Sequence, residues 1–167
     1  MKLNNKGFTL VEVIVAVALI VILSSIAIPN IISVLRNEED TSYNIMIENI
    51  KTGAINMYEE ISSNSLLGDT SNKLYKYNNS GVRTNTEIKI TSNTITVNLQ
   101  TLVSNGFVSG VNSDGKKIIQ EPINKKNIGK CKITIKKNVS SQNKVTYSFT
   151  GDTVTGCPKT EDYTKGV

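Results

Sequence analysis

The chain has no histidine and no tryptophan, and only two cysteines, three prolines and two arginines in 167 residues. Without histidine there is no Ser-His triad, no imidazole base and no imidazole zinc site. Two cysteines cannot make a four-thiolate metal centre. Aromatic residues at 5% supply a poor stacking surface for single-stranded nucleic acid. With Arg36 and Arg83 as the only guanidinium groups, specific base reading is poorly served as well. The 38% apolar and 20% charged residues exclude bulk disorder, and the length suits one domain.

What the chain does have is a skewed distribution of apolar residues. From Phe8 to Ile28 only Thr9, Glu12, Ser24 and Ser25 are not apolar, and Val13 to Leu23 is an unbroken apolar run. As a helix this segment spans roughly 30 Å, the thickness of a bilayer core. A cleaved secretory signal has a shorter apolar stretch, of about 7–15 residues. Lys2, Lys6 and a passable cleavage site at Ser25-Ile26-Ala27 fit that reading, but the length and the early carboxylate do not. A simple membrane anchor explains the length and leaves Glu12 unexplained, because an unpaired ionised group at membrane depth costs about 2.5–3.5 kcal/mol or more.

A third reading accounts for the leader, the length and the carboxylate together. Met1 to Gly7 is a short polar leader ending in Lys6-Gly7; Phe8-Thr9-Leu10-Val11-Glu12 follows, then the apolar run closed by Pro29. This block resembles the N-terminal signature of type IV prepilins and the related pseudopilins. The resemblance implies cleavage between Gly7 and Phe8 by a prepilin peptidase and N-methylation of Phe8. It implies no enzymatic activity and no cofactor. It divides the chain into a leader at 1–7, a transmembrane and filament-core helix at 8–29, and an exterior head at 30–167. Glu12 and Pro29 become assembly residues, with the free amine of Phe8 on a neighbouring subunit as the partner of Glu12; snorkelling of that carboxylate to the membrane surface is the bland alternative. The implied partners are the peptidase, membrane lipid before assembly, a membrane platform protein, an assembly ATPase, and copies of the chain itself. The implied location is the cytoplasmic membrane and then the cell-surface pilus, with attachment, motility and biofilm as roles. A pseudopilin or minor pilin of a secretion or DNA-uptake machine shares the leader, and a lone membrane-anchored exterior domain is the alternative from another class. One position departs from the pattern: Val21 stands where many members carry a helix-breaking glycine. Ser24, Ser25 and Pro29 favour some bending there.

Beyond Pro29, Ile31, Leu35, Tyr43, Ile47, Ile50, Ala54, Met57, Tyr58 and Ile61 recur at helical spacing and predict an amphipathic helix that stops at Ser62–Ser65. Gly53 weakens that helix by roughly 1 kcal/mol. Four alternating segments follow, at Ile88–Ile90, Ile95–Leu99, Cys131–Ile135 and Val145–Phe149, with hairpin connections at Thr91–Asn93 and Asn138–Asn143. The expected fold class is α+β, a long N-terminal helix packed on a four-stranded antiparallel sheet. Residues 63–85 and 109–129 read as polar loops, Gly110–Gly115 as a turn, and Gln100–Asn105 as one helical turn closed by Gly106.

Net charge is +5, or +3 once Lys2 and Lys6 are removed with the leader, leaving 17 basic and 14 acidic residues. The pairs Lys116-Lys117, Lys125-Lys126 and Lys136-Lys137 are either solvated loop charge or a weak patch for nucleic acid or another anionic polymer. The carboxylate pairs Glu38-Glu39-Asp40, Glu59-Glu60 and Glu161-Asp162 read as solvated charge, not as a catalytic or metal site. Cys131 and Cys157 are the candidate disulfide, since in many pilins such a bond pins the C-terminal segment to the sheet; a small buried hydrophobe at Cys131 is the other reading.

Overall fold

A computed structural model describes residues 9–67 and 73–164; within residues 22–36 it describes the backbone and not the side chains. Gly7 and Phe8 lie outside the described residues, as do the side chains of Ser24, Ser25, Pro29, Ile31 and Leu35. The chain divides into two units, Met1–Thr41 and Ser42–Val167.

Helix α1 runs from Leu10–Leu67. In the second unit its stripe buries Ile47, Ile50, Ala54, Met57, Tyr58 and Ile61. The expected stop at Ser62–Ser65 is two residues early. Serine and asparagine disfavour helix by only a few tenths of a kcal/mol each, too little to end a helix already anchored by Ile61. Gly53 is more than a weak point. A Cβ there would lie 2.5 Å from both the carbonyl oxygen of Phe107 and Cγ2 of Val108, so the missing side chain is what lets that loop sit on the helix.

The sheet differs from the expected single four-stranded layer. It is three-stranded, in the order β3 (Thr94–Asn98), β6 (Lys132–Val139), β7 (Val145–Thr150), all antiparallel. Ile95, Val97, Ile133, Ile135 and Phe149 turn inward from it onto the core. The hairpin through Asn138–Asn143 forms as the alternation predicts. The turn at Thr91–Asn93 also forms, with Ser92 and Asn93 at φ 50° and 59°, the left-handed pair of a tight hairpin turn. Ile88 and Ile90, however, belong to no strand. The amide of Ile88 donates to the carbonyl of Leu74 at 2.9 Å, so its backbone partner comes from the stretch read as loop.

That stretch holds a separate ribbon, β1 (Tyr75–Tyr77) with β2 (Arg83–Glu87). Its turn is tied by Asn78, whose Oδ1 accepts from the amides of Ser80 and Val82 at 3.0 and 2.9 Å. The second expected loop likewise contains a hairpin, β4 (Val111–Ser113) with β5 (Lys116–Ile118), turned by Asp114 and Gly115 at φ 48° and 75°. Both ribbons are short and polar, so strict apolar alternation does not reveal them. Asp-Gly was the available signal for the second.

Helix α2 (Leu99–Ser104) is the helical turn expected near Gln100–Asn105. Asn98 caps it by accepting from the amide of Thr101 at 3.0 Å. Gly106, at φ 84°, lets the chain leave it, and Phe107 donates back to Leu102 at 2.9 Å. The C-terminal tail is more ordered than its polar composition suggests. It ends in α3 (Thr160–Thr164), which buries Tyr163 in the core stacked on Phe149 at 6.2 Å.

Candidate processing and assembly site

The first helical turn sets the geometry of the N-terminal site. Thr9 stands just before α1 and Glu12 is its third helical residue, which is the spacing of a reciprocal cap. The amide and hydroxyl of Thr9 both donate to Oε2 of Glu12 at 2.8 Å, and the amide of Glu12 donates to Oγ1 of Thr9 at 3.3 Å. The carboxylate thus satisfies a backbone donor that the helix start would leave open, and it sits at the positive end of the helix dipole. Thr9 is the residue that the sequence reading missed. The threonine and glutamate three apart, ahead of an apolar run, were its signal.

Downstream of that cap the helix surface is apolar all round. Leu10, Val11, Val13, Ile14, Val15, Val17, Leu19, Ile20 and Val21 are each 51–76% exposed. A surface of this kind is covered by lipid or by other protein. Among the described residues no helix is long and apolar enough to cross a membrane. Phe8 and the side chains of Ile22–Ile28, which complete the apolar segment, lie outside those residues.

At the other end of the chain Cys131 and Cys157 are joined, with Cα atoms 5.5 Å apart. Cys131 is buried at the start of the sheet and Cys157 lies in the tail. Hydrogen bonds hold the same tail. The Lys132 amide donates to Oδ2 of Asp152 at 2.8 Å, and this bond, more than anything else near it, keeps that carboxyl below its ordinary range. Gly151 donates to Oγ1 of Thr160 at 3.1 Å, and Asp152 to the carbonyl of Pro158 at 3.1 Å. The hydroxyl of Tyr43 donates to Oδ2 of Asp162 at 3.3 Å. Burial, followed by the Asp162 charge, pushes that phenol up to about 12, so it remains a donor at neutral pH.

The lysine pairs are not equivalent. Strand alternation leaves Lys136 exposed and turns Lys137 onto Oε1 of Glu59 at 2.9 Å, an oxygen that also accepts from the hydroxyl of Tyr147. Lys137 is therefore engaged in a contact between α1 and the sheet. Lys116 and Lys117 lie exposed on β5, and Lys125 and Lys126 on the following loop. Among the described residues no group of three or more His, Cys, Asp or Glu is placed to hold a metal ion.

Residues 2–28 match the family model of the prokaryotic N-terminal methylation motif. No curated protein and no solved structure matches the chain. The motif covers Gly7, Phe8 and Glu12, and it points to a structural protein made as a precursor for a prepilin peptidase. With that motif at its N-terminus, the chain is similar over residues 2–28 to the precursors of type IV pilins and pseudopilins.

Proposed function

We propose that the chain is the structural subunit of a type IV pilus filament. Residues 1–7 are removed, Phe8 becomes the N-methylated first residue, and residues 8–29 anchor the subunit in the cytoplasmic membrane before packing in the fibre core. The observation that carries the reading is the methylation motif at residues 2–28, joined to a helix start whose apolar side chains from Leu10 to Val21 are all exposed in the single chain. A soluble monomer has no use for such a surface, whereas identical neighbours cover it in a helical fibre.

Glu12 is the assembly residue of this proposal. Buried among apolar neighbours, its carboxylate requires a cation, because an unpaired buried charge is very costly. Cleavage after Gly7 creates that cation, the amine of Phe8, on every subunit. A membrane platform protein and an assembly ATPase are the machinery that such a subunit needs. Attachment, motility and biofilm are the uses a surface fibre serves.

The test is the intact mass of fibres sheared from producing cells. The expected species starts at Phe8 and carries one added methyl group. A chain that retains Met1, or cells that hold the protein only as membrane monomers and make no fibres, would sink the proposal.

A further inference from the structure

Strand β7, Val145–Thr150, is an edge of the three-stranded sheet. Its sequence, Val-Thr-Tyr-Ser-Phe-Thr, is made of strand-forming residues and serine and carries no charge or proline. Edge strands of this composition pair with other chains unless something blocks them.

The register shows which backbone groups are open. The amide of Lys137 donates to Asn93, on the β3 side, and the amide of Ser140 donates to Lys144 across the β6–β7 hairpin. Odd-numbered residues of β6 therefore bond to β3 and even-numbered ones to β7. Thr146, Ser148 and Thr150 are the ladder residues of β7. Val145, Tyr147 and Phe149 turn their N–H and C=O groups outward, away from β6.

The C-terminal tail lies along one end of this edge. Gly151 continues the outward-facing series, and its amide is taken by Thr160. A Cβ on Gly151 would lie 2.5 Å from the carbonyl carbon of Lys159 and from the carbonyl oxygen of Pro158, so the two segments are in direct backbone contact. Tyr163 of α3 stacks on Phe149. The Cys131–Cys157 bond fastens this tail to the sheet. Among the described residues, the tail leaves only the Val145–Tyr147 end open, too short a stretch for stable strand pairing.

We propose that the outer edge of β7 is a strand-pairing surface for a second copy of this chain, and that the disulfide-fastened tail keeps it closed. The partner is a second copy because β7 offers an identical edge to itself. In an antiparallel pair centred on Tyr147, Val145 meets Phe149, Lys144 meets Thr150 and no like charges are opposed. Such a pair has a two-fold axis and is closed, so it takes subunits out of any open helical assembly. The inference stands on the head alone and does not depend on the pilus reading.

The experiment uses the full chain in detergent micelles, oxidised and reduced, and reads chains per micelle by light scattering together with amide hydrogen exchange. Reduction is expected to double the chains per micelle and to slow exchange at Val145, Tyr147 and Phe149 by about tenfold or more. Association through the apolar N-terminal segment is common to both redox states and leaves those three amides unchanged. Val145→Pro removes an outward N–H without touching the β6 ladder, and it should return the reduced chain to its oxidised behaviour. Should reduction unfold the head, Tyr163→Ser with the disulfide intact loosens α3 alone and should give the same pairing. Reduced and Tyr163→Ser chains that show the oxidised stoichiometry and unprotected edge amides overturn the proposal, as does pairing that Val145→Pro does not affect.

Discussion

Gly53→Ala sets helix propensity against packing, and the structure decides between them. In an exposed helix the change stabilises by about 1 kcal/mol. Here the new methyl group meets Phe107 O and Val108 Cγ2 at 2.5 Å and the carbonyl carbon of Phe107 at 3.1 Å. Overpacking of this kind costs about 1–3 kcal/mol, and because two of the three contacts are backbone atoms that cannot rotate away, the upper end applies. The expected net loss is about 2 kcal/mol, a fall in Tm of about 4–8 °C. Urea and thermal unfolding of the full chain in micelles, followed by tyrosine fluorescence from the head, measure it. Val108→Ala in the Gly53→Ala background removes one of the two closest contacts, so the double mutant should be more stable than additivity predicts by at least about 0.5 kcal/mol. A Gly53→Ala chain as stable as the native one would refute the reasoning, since propensity would then have won.

Three further outcomes are expected. Gly7→Leu should leave an uncut, unassembled precursor, detected as an N-terminus at Met1 in the membrane fraction. Glu12→Ala should be cut normally and fail to assemble, whereas Thr9→Ala should lose only the cap, about 0.5–2 kcal/mol of local helix stability, measured as faster amide exchange in the first turn; a fully piliated Glu12→Ala strain contradicts the role given to that carboxylate. The Lys132 amide holds the Asp152 carboxyl below its ordinary value of 3.8, so its stabilisation is fully present above that value and is lost as pH falls through the folded one. Asp152→Ala should therefore be less stable than the native chain at neutral pH and approach it on acidification below about pH 4, and a stability difference that does not shrink with acid argues against the assignment.

The helix stripe, the β6–β7 hairpin and α2 were legible because each follows from one local rule: apolar spacing, alternation, or a glycine stop. The ribbons β1–β2 and β4–β5 were not, since Tyr75–Tyr77 and Lys116–Ile118 are three residues long, too short to show apolar alternation; the first is half-buried throughout and the second mostly exposed, and the bonds of Asn78 that tie the first ribbon's turn leave no hydropathy signal. Ile88 and Ile90 misled for the opposite reason. Ile88 is buried as alternation requires, but burial does not say which strand supplies the backbone partner, and that partner is Leu74. At the N-terminus the carboxylate of Glu12 stood out at once, because it is the one charge in an apolar run. Thr9 passed unnoticed beside it as an ordinary small polar residue, although it supplies both donors to that carboxylate.

Those two donors change what joining a neighbour would mean for Glu12. Its carboxylate is not a vacant socket awaiting a first guest, because Thr9 already occupies Oε2 twice at 2.8 Å. Both threonine bonds fall on one oxygen, which leaves Oε1 to an incoming amine. Docking at this point is then an addition to a carboxylate already held in place by its own chain, and the amine supplies the charge that two neutral donors do not. A subunit that leaves keeps its threonine bonds, so the first turn of its helix stays capped before and after.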